Sequence, residues 1–362
     1  MRSPRGGAGF TTAARSAARM GRTGCCSLSA LALLALLLFP IAVRASTQAD
    51  QFIYKNQYAM GAVYEIAAYS PYPNRATQAI DAAFRVIVTL DRVMSNYDPQ
   101  SDLSRLDRSA HFKAVTVPPD LFRVIQASLV YSRLSGGKYD VTVAPLVDAW
   151  KSAIRGGRLP SAGEIERLRS CVGYRKLQLM TPNRIEFHSP CTRIDLGSIG
   201  KGYAVDRAAQ VLRAYGIRRA LINAGGSTIY AIGAPPGRAG WTVRLRDPSH
   251  HIDPEVTLRD DSVSTSEQER ASLIDGGEFG HIIDPITGQP VHSDFAVSVV
   301  AETATATDGL STTLFLMGPQ AGARLVRTLP ETAAVWVSRE GRAEMASTGP
   351  KIRLLHSEST NP

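Results

Sequence analysis

Histidine and cysteine are scarce in this chain, with seven and four among 362 residues. No cysteine lies in a C-x-x-C pair and no histidine cluster occurs, so a cysteine-held metal is not implied. Aromatic residues make up only 7%. No long low-complexity tract, heptad run or internal repeat is present, which sets aside coiled coils and solenoids. Acidic residues are missing altogether from Met1 to Ala45, where six arginines occur. The apolar run Leu28–Val43 follows that basic part, is short for a membrane span and is interrupted by Pro40. With Val43-Arg44-Ala45-Ser46 behind it, the segment reads as a secretory signal peptide cleaved after Ala45, with Met20 as an alternative start. The expected location is periplasmic or inner-membrane associated.

Export changes the charge argument. Six of the 41 basic residues and none of the 32 acidic ones leave with residues 1–45, so the formal charge falls from +9 to +3. The basic pI belongs largely to the signal segment, and no nucleic-acid partner is inferred. The remaining 317 residues, 362 less 45, suffice for one large core or two lobes. Of the cysteines only Cys171 and Cys191 remain. They flank a hairpin pattern, Lys176–Met180 and Arg184–His188 about Thr181-Pro182-Asn183, at nearly matching distances from the turn. A Cys171–Cys191 disulfide is therefore expected, worth roughly 3 kcal/mol for a loop of this size.

Periodicity supplies the rest of the frame. Strands are expected about Met60-Gly61, followed by a helix from Asn74 (as N-cap) to Met94, a short helix over Ser101–Asp107 and another from Pro118-Pro119 to Leu134. Tyr139–Leu146 reads as a short apolar stretch, and Ser161-x-x-Glu164 as a capping box. From Arg219 the pattern turns to strands, including Gly280–Ile283, with helices over Thr307–Met317 and Ala321–Leu329. Helices and strands mix without strict alternation. The fold class is α+β, with largely antiparallel sheets packed with helices.

Three stretches carry chemistry. Asp195-Leu-Gly-Ser-Ile-Gly-Lys-Gly-Tyr-Ala-Val-Asp206 places Gly197, Gly200 and Gly202 around Lys201 and leads into helical spacing. Such a turn lets backbone N–H groups and a helix N-terminus face an anion. Alone, it reads equally as a tight turn before a packed helix. It is not a Walker A loop, because Gly202 follows Lys201. The second stretch is His281-Ile-Ile-Asp284-Pro-Ile-Thr-Gly-Gln-Pro290. A lone histidine is more often structural than catalytic, and Asp284 alone suits a turn cap. The third is Thr307-Asp308-Gly-Leu-Ser311-Thr312, whose Asp308, Ser311 and Thr312 share a helix face. Those hard oxygens suit Mg²⁺ over Zn²⁺, while the plainer reading is an acid near a helix start.

Taken together and in order, these stretches resemble the ApbE family, the FAD:protein FMN transferases or flavin transferases. The resemblance also takes in Met60-Gly61, Ser95-Asn-Tyr-Asp-Pro99, Gly137–Val143 with Trp150, Gly225-Gly226 and Thr265-Ser266. It covers most of the chain after residue 45 and implies an ApbE-like, two-lobed single domain over 46–355 with a loose tail, 356–362. It implies FAD as substrate, Mg²⁺ as cofactor, and transfer of FMN to a Thr or Ser hydroxyl of a target protein with release of AMP. The implied metal ligands are Asp308, Thr312, the Gly200 carbonyl and Ser311. His281 stands at the proposed catalytic position. Met60, Tyr97, Lys138, Tyr139, Asp140, Gly197, Lys201, Tyr203 and Thr265 match FAD-contacting positions, with Tyr97 as a lid or stacking group. The implied acceptors are flavoprotein subunits of membrane redox complexes, such as the Na⁺-translocating NADH:quinone reductase or its Rnf-type relatives. The alternatives are an FAD pyrophosphatase and a non-catalytic flavin-binding protein. This chain departs from the family pattern at Gly200, where relatives often have Ala, at Ser227, and at Glu267-Gln268 after Thr265-Ser266.

Overall fold

In the computed structural model, which describes residues 49–156, 158–268, 270–272 and 278–355, the chain opens on a hairpin. The expected signal segment and the tail 356–362 lie outside those residues. β1 (Gln51–Ala59) and β2 (Ala62–Ser70) pair antiparallel about Met60-Gly61. Both turn residues have positive φ, 50° and 74°, the twist a two-residue hairpin needs. Alternation along β2 sends Tyr64, Ile66 and Ala68 into the core.

Helix α1 (Pro73–Met94) buries Ala76, Ala79, Ile80, Ala83, Ile87 and Leu90 along one face. Burying Ile87 and Leu90 stabilises the fold by roughly 1.5–3 kcal/mol each. Asn74 is not the N-cap: Pro73 is already helical, since its fixed φ suits a first position, and Asn74 lies inside the turn. In α2 (Asp102–Ser109) the Ser101 hydroxyl accepts from Ser104 N at 2.9 Å. α3 (Pro119–Leu134) stops before Gly136-Gly137, both at positive φ. Next comes α4 (Ala144–Gly156), where the sequence suggested only an apolar run. The short stretch before it, apolar except for Asp140 and Thr142, masked the spacing that buries Leu146, Val147, Trp150 and Ala153. α5 (Ala162–Arg169) carries the expected capping box of Ser161 and Glu164.

The Cys171–Cys191 disulfide is present. It closes on β4 (Leu177–Met180) and β5 (Arg184–Phe187), beside which lies short β3 (Val115–Thr116). α6 (Gly200–Ala214) leads to β6 (Ala220–Ala224) and β7 (Thr228–Ile232). A small sheet of β8 (Trp241–Arg244), β9 (Pro254–Leu258) and the late strand Ile352–Leu354 follows. β10 (Ser262–Glu267) precedes the short pair β11 (Arg270–Ser272) and β12 (Glu278–Gly280). The expected strand through Ile283 therefore ends at Gly280, and Ile283 makes only a single bridge to Pro290. β13 (Phe295–Ala301), α7 (Ala304–Val326), β14 (Ala333–Ser338) and β15 (Ala343–Ser347) complete the main elements. α7 is kinked at Gly318-Pro319, which separates its two expected halves.

The eight-stranded sheet runs β1-β2-β6-β7-β10-β13-β14-β15, and every neighbouring pair in it is antiparallel. Helices cover one face: α1 and α6 pack on β2 and β6, and Leu310, Leu314 and Phe315 of α7 pack on Val297, Val299 and Trp336. The small sheet covers the other, with Val243, Val256 and Leu258 against Val263, Val300 and Val335. This is an α+β architecture. Among the described residues no helix is long and apolar enough to cross a membrane.

Candidate functional site

Two tight turns end side by side at one edge of these layers, Met60-Gly61 and Gly225-Gly226, and all four residues have positive φ. With the ends of α1 and β10 and the starts of α6 and α7, they enclose a cavity of about 1090 Å³. It is large enough for a dinucleotide-sized ligand, above the usual range for small-molecule sites. Lys201, Asp308, Thr312 and His281, from three separate stretches of sequence, all line it.

The crossing of α6 and α7 places the acid. Gly202 has no side chain because α7 occupies the space: a Cβ there would lie 2.1 Å from the Ala304 carbonyl oxygen and 2.6 Å from Asp308 Cβ. At this approach Gly202 N–H donates to Asp308 Oδ2 at 2.8 Å. Asp206, one turn further along α6, accepts from Ala304 N and Thr305 N, both at 2.8 Å, and so caps α7. One glycine and one aspartate of the first chemical stretch thus set the third. Burial pushes the Asp308 carboxyl above its ordinary range, opposed by Lys201, Gly202 N–H and Thr228.

A file of buried hydroxyls holds the same carboxylate from the sheet side. β10 turns Ser262, Ser264 and Ser266 toward α7. Thr307 Oγ1 lies 2.9 Å from Ser262 Oγ and 2.8 Å from Ser264 Oγ. Ser264 donates to Thr228 Oγ1 at 3.1 Å, and Thr228 to Asp308 Oδ1 at 3.2 Å. All four hydroxyl residues are buried, so their mutual bonding removes a desolvation cost of about 1–3 kcal/mol for each group left unpaired. Ser266 donates to Ser311 Oγ at 2.9 Å and lies 3.2 Å from Thr312 Oγ1. Thr312 reaches the cavity; Ser311 is buried and donates to the Asp308 carbonyl at 2.9 Å, behind the lining.

His281 is exposed to the cavity at the head of a folded-back loop. Asp284 caps its turn, with Oδ1 accepting from Ile286 N at 2.8 Å. Trp150 Nε1 donates to Gly288 O at 2.8 Å and docks the turn on α4.

Of the other residues singled out from sequence, Met60, Tyr97, Tyr139, Asp140, Gly197, Gly200 and Thr265 line the cavity. Tyr97 is 76% exposed and accepts from Lys151 Nζ at 2.7 Å, as a rim group would. Tyr139 is buried in the floor, where its hydroxyl accepts from Ser198 Oγ at 3.0 Å. Asp140 is turned into the fold, accepting from Thr142 N and Tyr174 N. Lys138 and Tyr203 lie outside the lining: Lys138 Nζ is 3.9 Å from Asp284 Oδ2, and the Tyr203 hydroxyl donates to Asp120 at 2.7 Å. The Gly200 departure has a neighbour, since a Cβ there would meet Met60 Cε at 3.3 Å.

Sequence reasoning missed Lys151 and Arg246 and gave no role to Asp195 or Glu267, all of which line the cavity. Lys151 sits on α4, the helix the pattern hid. Asp195 accepts from Gly197 N at 2.7 Å and Asn96 Nδ2 at 3.2 Å, tying two motif stretches together. Arg246 Nε bonds Glu267 at 2.5 Å from 21 residues away, a pairing with no local signal.

A family model described as the ApbE family matches residues 60–336. An FAD:protein FMN transferase of Treponema pallidum is 28% identical over 322 residues, covering 83% of this chain and 88% of the relative. One from Escherichia coli K12 is 27% identical, covering 73% and 77%. Among solved structures, the flavin transferase ApbE from Vibrio cholerae superposes with a TM-score of 0.74 at 25% identity, covering 83% of this chain and 98% of its own. An ApbE protein from Thermotoga maritima superposes at 0.73 and 28% identity, covering 82% and 98%.

Proposed function

The chain belongs to the ApbE family, and from that premise we propose that it transfers FMN from FAD to a Thr or Ser hydroxyl of a target protein and releases AMP. The observation that carries this reading is the meeting of Lys201, Asp308, Thr312 and His281 in one cavity of dinucleotide size.

The donor set fits Mg²⁺. Among the described residues no three His, Cys, Asp or Glu side chains converge, so an ion here would have to be held largely by hydroxyl and carbonyl oxygens. The buried Asp308 carboxylate, the Thr312 hydroxyl and the Gly200 carbonyl are hard oxygens. They would hold the ion, with Asp308 kept ionised by its charge. When bound, Mg²⁺ supplies charge neutralisation at the diphosphate. Lys201 adds a second positive charge beside the same phosphates. His281 takes the proton of the acceptor hydroxyl while that oxygen bonds to the FMN phosphorus. The bond from this phosphorus to the bridging oxygen breaks, and AMP leaves with the electron pair. Tyr97 and Lys151 close the rim over the bound nucleotide.

Export is part of the proposal. Its support is the Arg-rich, acid-free start of the sequence together with a disulfide, which suits an oxidising compartment. Periplasm-facing flavoprotein subunits of membrane redox complexes, of the Na⁺-translocating NADH:quinone reductase or Rnf type, are the acceptors proposed. The test is incubation with FAD, Mg²⁺ and a peptide carrying an acceptor Thr, reading AMP and peptide mass. An FMN adduct supports transfer. AMP with free FMN identifies a pyrophosphatase, and FAD binding without AMP a flavin-binding protein.

A further inference from the structure

We propose that Gln268 is a positioning residue for His281, with Gly280 shaped to receive it. The inference rests on His281 as the base in the reading above. Gln268 follows the last residue of β10 and is only 5% exposed. Its side-chain amide substitutes for strand pairing where the sheet has ended. Oε1 accepts from Ile282 N at 3.0 Å, and Nε2 donates to Ile282 O at 3.2 Å and to Val291 O at 2.8 Å. The orientation of the amide is fixed by these partners, one N–H facing its oxygen and two carbonyls facing its nitrogen.

The Ile282 N–H belongs to the peptide unit that begins at the His281 carbonyl. Gln268 therefore grips the plane attached directly to the His281 Cα. On the other side of His281 stands Gly280. A Cβ there would lie 1.6 Å from Gln268 Nε2 and 1.7 Å from its Cδ, so the amide fills the space a side chain would need. His281 is thus bracketed on both sides by one glutamine, while the residue itself lines the cavity. The far end of the loop is held separately by Trp150 on Gly288 O. Through β10 the clamp also links the histidine to Ser266 and hence to Thr312. A small displacement of a proton acceptor costs far more in rate than in binding, so the clamp acts on turnover.

The experiment is a cycle on the full chain, with FMN attachment to an acceptor peptide as the rate and FAD KM alongside. Gln268→Met keeps length and loses all three bonds. It is expected to lower kcat about 10-fold or more with FAD KM within about twofold, and to lower nothing further in a His281→Ala background, because its effect passes through that ring. Gln268→Glu, which keeps the acceptor for Ile282 N–H but turns a second oxygen toward the Ile282 and Val291 carbonyls, does not restore the rate. Gly280→Ala, which expels the amide, reproduces the defect from the opposite side, and adds little in a Gln268→Ala background. Unchanged kcat in a folded Gln268→Met protein, or an equal loss with and without His281, overturns the inference. Wild-type turnover in His281→Ala alone overturns the base assignment, and the role of Gln268 with it.

Discussion

Helices α1 and α7 are almost the same length, 22 and 23 residues, and they bury opposite chemistry. The buried face of α1 is alanine, isoleucine, leucine, phenylalanine and methionine throughout. The first half of α7 buries Thr307, Asp308, Ser311 and Thr313 among its apolar residues. An apolar face needs only area against a neighbour. A polar one needs a partner for every group: Thr313 bonds the Gly309 carbonyl of its own helix, and the others obtain theirs from Gly202 on α6, Thr228 on β7 and three serines of β10. The first kind of helix is frame. The second shows where the fold is arranged around a reaction.

The sharpest way to break that contrast is Asp308→Ala. If the buried polar face serves chemistry, Mg²⁺-dependent AMP release falls by about 10³-fold, the scale of removing a principal electrostatic group, while the fold persists. Full turnover in the variant removes Asp308 from the metal site. The frame answers differently. Replacing Cys171 and Cys191 together with serine costs about 3 kcal/mol of stability for a 20-residue loop, read by denaturant unfolding, with turnover at 25 °C kept. A loss of turnover in the folded variant would join the hairpin to the site. Gly202→Ala falls between the two, since it strikes the crossing itself. It is expected to cost about 1–3 kcal/mol by overpacking and to reduce turnover as well by shifting Asp308. Wild-type stability would show that the helices can part without strain.

A last prediction tests a half-buried carboxyl outside the site. Burial pushes the Asp107 carboxyl up to about 7, against the Ile194 N–H and Arg193. A raised carboxyl means that the native protein keeps a proton that the unfolded chain has released. Its contribution to stability is therefore full below about pH 4 and lost as pH rises to 7. Asp107→Asn keeps an acceptor for Ile194 N and should flatten the fall of Tm between pH 4.5 and 7.5. Parallel Tm profiles for the two proteins would contradict this.

Most of the frame was legible locally. The 3.6-residue spacing of α1, the Ser161/Glu164 box and the cysteines flanking a hairpin are short-range patterns with direct physical causes. α4 was hidden because the apolar residues from Tyr139 to Val147 carry no clear period. The site was legible only as separate pieces. Lys201 in its glycine turn, His281 and Asp308 each had an ordinary structural reading, and their family resemblance is what suggested that they meet. What no local pattern shows is the layer that holds them. Asp206 caps a helix that begins 98 residues later, Thr228 reaches Asp308 across 80 residues, and Gln268 closes on Ile282 and Val291. Those partners are brought together by the α6–α7 crossing and by the order of the sheet, neither of which is local in sequence. The same holds for Ser311, which shares a face with Asp308 in sequence but is turned to Ser266 in the fold.

One ratio tests the central claim most directly: AMP released against FMN attached to the acceptor in a single turnover of stoichiometric FAD with Mg²⁺. A ratio of one is expected, with both products absent in EDTA. AMP accumulating without a matching gain of acceptor mass would contradict it.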